Sequence, residues 1–318
     1  MNLNQFEYLL TVYQEKSITK AAQKLFVSAP AISTAVKQME EELGYSILIR
    51  QPNGIVFTEK GENAITVIQD IQKRISYLYQ LKGDLLDIQG EYIIGGTIHF
   101  NNAFLMNFLL HMNQKYPHLR LNLQSSDSES IISGIGTGLL DIGMIIMTQI
   151  DEANLMREIY RNQLDYLKIA SDEMCFVVRK DHPILSENEL NLEKLFTYPY
   201  ICYLENLKGF EPYFFATLLL NQTRDEQNAI RCAEKMKMLR INDSKILYKI
   251  LEYINGFTIM PHLSYNYLEK NHPELQYLNL HDDGLKCDVV LLRKSQMANS
   301  IDNLLWTELK SYLQETLK

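Results

Sequence analysis

The stretch Ser17-ITKAAQKLFVSAPAISTAVKQMEEELGYSILI-Arg50 decides the fold of the chain's first part. Ser17 stands where a helix cap is wanted, before ITKAAQKL. Ala21, Ala22 and Leu25 give that segment a small, apolar face that permits close packing. Phe26 and Val27 form a short link, and Ser28 caps a second segment, APAISTAVKQMEEELG. Pro30 is tolerated there because a first-turn amide has no helical partner. Ile32, Val36, Met39 and Leu43 recur at helical spacing, and Gly44 ends the run. SILIR, QPNG and IVFT then read as two short strands joined by a turn. Upstream, Phe6, Leu9, Leu10 and Tyr13 make one more apolar stripe. Helix, helix, tight turn, helix and hairpin, in that order, spell a winged helix-turn-helix over residues 1–57. The second helix of such a unit offers its N-terminal residues to base edges in the major groove. Ala29, Pro30, Ser33, Thr34 and Lys37 lie off its apolar stripe, while Arg50 and Asn53 sit at the hairpin, within reach of DNA backbone or minor groove. The acidic run Glu40–Glu42 falls at the far end of the helix, away from phosphates.

Downstream, residues 58–90 read as a linker, helical over 58–88 and capped by Thr58. Ala64, Ile68, Ile71, Ile75, Leu78 and Leu85 follow a 3–4 spacing, with Lys82 interrupting. A seam sustained over several heptads predicts a dimerisation helix, with Ile68, Ile71, Ile75, Leu78 and Leu85 as its contacts. The alternative is an amphipathic helix lying on its own domain.

From residue 91 the pattern changes to strands alternating with helices, which predicts α/β architecture with largely parallel sheets. EYIIGGTI, LRLNLQ, LDIGMIIM, EMCFVVR, PYICYL, KMLRI and GFTIMP read as strands. Helices are expected over 103–115, SESIISGIG, SKILYKILEYIN and from about 300. Ligands in such folds bind beyond the carboxyl ends of strands, where helix N-termini expose unpaired amides. Thr97 and His99, Ser126 and Ser128, Met147 and Thr148, Tyr203, and Asp243 occupy those stations. Each has a plainer reading: Ser126, Ser128 and Asp243 as helix caps, and His99 as a locally satisfied histidine. GIGTG at 134–138 lacks the Lys-Ser/Thr of a phosphate loop and precedes a strand rather than following one, so it reads as a helix end and turn.

Composition excludes several classes. The 318 residues are 46% hydrophobic and 22% charged. Those proportions suit an ordinary globular protein of two or three domains. No apolar run approaches the ~18 residues of a membrane span, and MNLNQFEYLLTVYQEK has no basic, then apolar, leader pattern. The cytoplasm is the expected location, with no membrane partner. Net charge is −8, yet residues 1–88 hold nine basic and ten acidic side chains, so any DNA binding must use a local arrangement of charge. Cys175, Cys202, Cys232 and Cys287 are far apart in sequence and read as small hydrophobes. No metal, cofactor or catalytic constellation is expected.

The chain resembles the LysR-type transcriptional regulators along essentially its whole length. Ser17, Thr19, Ala21-Ala22, Val27-Ser28, Pro30-Ala31, Ser33, Glu40–Glu42 and Leu43-Gly44 match that family's head, and Thr58 and Gly61 match the start of its linker helix. KYPHLRLNLQ, GLLDIG and GFTIMP resemble recurrent segments of its second half. The resemblance implies an α/β protein overall, with an N-terminal winged helix-turn-helix and a long linker helix. A two-subdomain effector domain like a periplasmic binding protein then spans 91–318. Subdomain I would hold about 91–165 and 270–318, and subdomain II about 166–269, with a small-molecule effector in the cleft. It implies DNA contacts from Thr19, Ser28, Ala29, Pro30, Ser33, Thr34, Lys37, Arg50 and Asn53. It also implies promoter inverted repeats as target, a homodimer or homotetramer, and RNA polymerase as a partner. The family often has Gln at the position of Ala29 and Arg at that of Thr34. Ala and Thr cannot make the two-bonded contacts those side chains make with adenine and guanine, which predicts an altered base preference. A regulator without any small effector stays open, as do, more remotely, an enzyme or a solute receptor on the same fold.

Overall fold

The computed structural model describes all residues except 52–53, 81–89, 188–189, 204–209, 242, 279–284, 296–299 and 318. Two compact units emerge: Met1–Gly90 with Thr137–Leu139, and Glu91–Gly136 with Leu140–Lys318.

In the first unit, α1 (Leu3–Glu15) begins with a reciprocal cap. The Asn2 side chain accepts from the Gln5 amide at 3.0 Å, and the Gln5 side chain accepts from the Asn2 amide at 2.9 Å. α2 (Ile18–Lys24) and α3 (Ala29–Leu43) start at Ser17 and Ser28, each accepting a first-turn amide at 3.3 Å. Such caps satisfy amides that the helix itself leaves unpaired. Gly44 closes α3 at φ 75°. Glycine adopts that left-handed conformation without penalty. The antiparallel hairpin β1 (Leu48–Gln51) and β2 (Gly54–Phe57) follows, then α4 (Glu59–Gln80). One core unites these pieces: Leu9, Val12, Ile32, Val36, Met39, Ile47 and Ile65 are buried together.

Ile68 belongs to that same core. The first half of α4 therefore lies on its own domain, and Ile68 is not free for a dimer seam. A head this small lacks buried surface, and the helix that leaves it supplies the missing wall. Ile71 and Ile75 are half-buried. The side chain of Leu78 and all of Leu85 lie outside the described residues.

The second unit opens with β3 (Gly90–Gly96). A short α5 (Ile98–Phe100) runs through a π-turn (Asn101–Leu105) into α6 (Met106–Lys115), so the helical stretch begins ahead of the sequence-based start at 103. β4 (Leu119–Ser125), α7 (Ser128–Thr137), β5 (Ile142–Thr148) and α8 (Glu152–Arg161) follow. β6 (Leu164–Arg179) is a continuous 16-residue strand. Then come α9 (Leu192–Leu195), β7 (Tyr200–Tyr203), α10 (Phe210–Thr223), α11 (Glu226–Lys235), β8 (Met238–Ile241), α12 (Ser244–Tyr253), β9 (Thr258–Pro261), α13 (His262–Asn271), β10 (Leu275–Leu278), β11 (Lys286–Lys294) and α14 (Ser300–Thr316).

The main sheet has the order β10-β6-β11-β5-β3-β4, with β9 also on β6, and β7 and β8 form a second, parallel pair. The expectation of largely parallel sheets fails here. β11 runs antiparallel to both β5 and β6, and β6 runs antiparallel to β9 and β10. The chain passes between the two halves on long strands rather than through helical crossovers. β6 pairs with β11 through Glu173 and with β9 from Met174 onward, so the change of half falls there and not near residue 165. On the return, β10 still pairs with the second half of β6, placing residues 275–278 beyond the boundary expected near 270.

Packing divides likewise. Ile131, Ile132, Leu155, Ile159, Val290 and Leu292 share one core. Phe176, Phe196, Phe215 and Phe257 gather in another, with Phe196 and Phe257 stacked at 5.8 Å between centroids. Cys175, Cys202 and Cys287 are buried and Cys232 is half-buried, as the reading of four small hydrophobes requires. GIGTG forms the last turn of α7 and the residue after it, and Gly138 at φ 80° makes the turn out of the helix.

The tightest point in the first unit is Gly61. A Cβ there would lie 1.9 Å from the carbonyl oxygen of Ile47, so backbone would have to move. Gly61→Ala should therefore cost about 1–3 kcal/mol of the head's stability, read as a lower urea midpoint for the head. An unchanged midpoint would show that the contact is not rigid.

Candidate functional site

The exposed edge of α3 is built on the Ser28 cap. Pro30, Thr34 and Lys37 are exposed, Ser33 is half-buried, and Thr19 is exposed on α2 with its neighbour Lys20. Ala29 is half-buried against the head core, which limits it to a marginal contact. The Lys37 side chain is 77% exposed and its ammonium is 3.7 Å from Glu41. A loose, solvated i,i+4 pair of this kind leaves the charge available. Arg50 pairs with Ile55 in the hairpin backbone, and its side chain and Asn53 lie outside the described residues.

Two shallow grooves flank Thr34. The one toward α1 is lined by Asn2, Asn4, Gln5, Tyr8 and Gln38, and the other runs along Ser33, Lys37, Glu40 and Leu48 toward the hairpin. Gln5 donates to Gln38 at 3.1 Å, tying the two helices together beside the first groove. Sequence reading missed this polar contribution from α1; the Asn2-x-x-Gln5 spacing of a reciprocal cap was the available signal.

Glu40 has a role that its place in an acidic run hides. Its carboxylate accepts the amides of Ile47 at 2.7 Å and Leu48 at 3.2 Å. Thr58 answers from the other side, donating its hydroxyl to the Ser46 carbonyl at 2.7 Å and accepting the Gly61 amide at 2.9 Å. Together these bonds set the angle at which the hairpin leaves α3. Lys16 adds to the hold. Its carbonyl accepts the Ile55 amide at 3.3 Å, and its ammonium sits 3.8 Å from the Tyr13 ring centre. A cation so placed is attracted by the negative face of the ring.

In the second unit the strand ends meet around Asn101, which the sequence reading passed over. Its amide nitrogen donates to the Gly96 carbonyl at 2.9 Å and to the Ser125 hydroxyl at 2.8 Å, joining the ends of β3 and β4. Gly96 permits this, since a Cβ there would meet the Asn101 side chain at 2.1 Å. The Asn101 side-chain oxygen and the Thr97 hydroxyl are buried without a hydrogen-bond partner, while the Tyr203 hydroxyl lies against Tyr248 and Ser244. His99 bonds Tyr248 at 3.2 Å and meets the edge of Tyr203 at 5.5 Å, so it bridges the two halves of the unit. Burial holds His99 down at about 4, leaving it neutral near pH 7, and pushes Tyr248 up to about 12. In both cases a low-dielectric setting disfavours the charged form. Burial likewise pushes the Tyr203 phenol up.

The other stations are less free. Ser126 is half-buried, and its amide bonds the Gly96 carbonyl at 3.2 Å. Ser128 donates to the Ile146 carbonyl at 3.1 Å, and the cap of α7 is Asp127, which accepts the Ser130 amide at 2.8 Å. Asp243 is a helix cap, accepting the amides of Lys245 and Ile246 at 2.8 and 3.1 Å. Met147 is 7% exposed and packs in the core with Ile131 and Leu155, so it is a core residue and not a cleft residue. Strand alternation sends its side chain to the inner face. The Thr148 amide and hydroxyl bond Asp151 at 2.6 and 2.9 Å.

Residues 3–62 match the model of the bacterial regulatory helix-turn-helix proteins of the lysR family, and residues 87–311 match the LysR substrate binding domain. The chain belongs to the LysR family of transcriptional regulators. It is a DNA-binding regulator with an effector-binding domain, and not an enzyme. Among curated relatives, CysL of Bacillus subtilis is 25% identical over 316 residues, 97% of this chain and 96% of that protein. YvbU of the same organism, itself uncharacterised, is 27% identical over 197 residues, 61% of this chain and 63% of that protein. Full-length CbnR, solved in complex with its target DNA, shares the fold at a TM-score of 0.60 and 14% identity, over 99% of this chain and 100% of that one. Among the described residues no helix is long and apolar enough to cross a membrane.

Asp151 gives the effector-binding unit a pH signature. Burial raises its carboxyl from 3.8 to about 6. A raised carboxyl stabilises the fold while protonated, and that stability is lost as pH climbs through its folded value. Unfolding midpoints of the parent relative to Asp151→Asn should therefore fall between about pH 4 and pH 6. A constant difference across that range would place the carboxyl in water.

Proposed function

We propose that this LysR-family chain acts in the cytoplasm as a homodimer or homotetramer that reads promoter inverted repeats and answers to a small effector. The observation that carries the DNA reading is the exposed Pro30-Thr34-Lys37 edge of a helix whose first turn is capped by Ser28. Ser33, Thr34 and the α1 groove supply polar groups for bases, with Thr19, Arg50 and Asn53 at the flanks. Lys37 supplies a charge for phosphate. Ile71, Ile75, Leu78 and Leu85 remain the proposed dimer contacts. RNA polymerase would be the downstream partner.

Enrichment of duplexes from a random pool by the full-length protein tests this. An inverted repeat should emerge, and a pool that stays random would refute the assignment. On the enriched duplex, Lys37→Ala should flatten the salt dependence by about one unit, the mark of a single phosphate contact.

The effector reading rests on two buried, unpartnered groups, the Thr97 hydroxyl and the Asn101 side-chain oxygen. Such groups cost stability unless something pairs with them. A ligand bearing donors and acceptors would do so, in the company of His99, Ser126 and Thr148. Thr97→Val keeps the shape and removes an orphan hydroxyl. It should raise the midpoint of the unliganded protein, corresponding to about 1–3 kcal/mol. It should also abolish any thermal upshift seen in a panel of amino acids, dicarboxylates, aromatic acids, sugar phosphates and nucleotides. A lower midpoint would mean that the hydroxyl is already satisfied.

A further inference from the structure

Phe26 occupies the turn between α2 and α3 and is 96% exposed, more than any other large apolar side chain among the described residues. Its backbone is left-handed, at φ 56°. Both features are unfavourable. An aromatic residue rarely adopts this conformation, which glycine and asparagine tolerate far better. The turn leaves it no choice: the Phe26 amide bonds the Gln23 carbonyl at 3.3 Å and the Val27 amide bonds the Ala22 carbonyl at 3.0 Å. Its neighbours Leu25 and Val27 both pack against the head core, so the turn sends Phe26 the other way. Among the described residues of the head, no packing compensates for a ring held in water on a strained backbone. The inference from such an outlier runs toward function.

The place of the ring identifies its partner. Phe26 stands two positions before Ser28, the cap of α3, beside the helix end from which Pro30, Thr34 and Lys37 stand exposed. Thr19 and the exposed Pro30 lie on either side of it in sequence. We infer that Phe26 is an apolar DNA contact at the rim of the recognition surface. It packs on a thymine methyl group or on the carbon face of a deoxyribose next to the groove. Thymine methyls accept such contacts from Phe side chains. This rests on the DNA-reading role proposed for α3, and it adds a residue that polar and charged readouts would not find.

The test uses the full-length protein and the duplex that the parent enriches from a random pool. Phe26→Asn suits the left-handed turn and removes the ring; Phe26→Trp keeps a flat apolar group. Asn should weaken binding about tenfold, the effect of losing roughly half of a buried phenyl side chain. The salt slope should stay that of the parent, since no charge is lost. The unfolding midpoint should not fall, because strain is relieved. Trp should bind as the parent does. Duplexes with deoxyuridine in place of thymidine separate the two apolar partners: a parent-specific loss assigns the methyl, and no loss assigns the sugar. An Asn variant with parental affinity would overturn the inference, including the case in which only self-association or transcription changes, which would assign Phe26 to a protein contact. A parent that enriches no duplex would overturn the DNA reading and this contact together.

Discussion

The backbone at Ile47 is the point on which the first unit turns. Its amide is taken by Glu40 at the end of α3, and its carbonyl accepts the Thr58 amide at 3.0 Å at the start of α4. Its side chain is fully buried. Gly61 presses against the same carbonyl so closely that no side chain fits. The helix α3, the hairpin and α4 thus share one residue as a common anchor. A DNA-reading helix needs a fixed pose relative to its flanking hairpin, and a charged acceptor paired with buried backbone amides is a strong way to fix it. The constraint also gives Glu40 a structural task inside an otherwise exposed acidic run.

Much of the head was legible because its signals are local. Caps at Ser17 and Ser28, the stop at Gly44 and the apolar stripes of three helices are all written within one or two turns of the residues they control. The role of Glu40 was not legible, since a glutamate in an acidic run carries no mark of the amides it will meet beyond the end of its helix. Ile68 misled for a related reason. A 3–4 apolar spacing states that a helix buries one face, and it does not state whether its own domain or a second chain does the burying. The second unit was harder. The first half of β6 alternates polar and apolar residues weakly, and the antiparallel partners of β11 are distant in sequence, which no local pattern reports. Asn101 escaped notice because a lone asparagine inside a helical pattern has no signature; its importance arises from Gly96 and Ser125, which the fold brings to it.

The two units solve opposite problems with polar groups. In the head, Asn2, Gln5, Glu40 and Thr58 are paired while Thr34 and Lys37 stand exposed, so the surface is ready for a partner that brings its own charge. In the second unit, the Thr97 hydroxyl and the Asn101 side-chain carbonyl are buried without partners near a neutral histidine. The strand ends there store an unmet demand for hydrogen bonds, and this is how a site can prefer a bound molecule over none.

The single strand β6 has a mechanical corollary. Its 16 residues, LDYLKIASDEMCFVVR, contain neither glycine nor proline. At ~3.3 Å per residue they form a rod of roughly 50 Å common to both halves. Such a member works as a leaf spring. It takes up a change of angle as twist spread over many peptides, and the bulge at Ile169, opposite Val289 and Val290 of β11, is where bending concentrates. A change of angle between the two ends of this strand would therefore strain the shared ladder, unlike motion about a loose hinge.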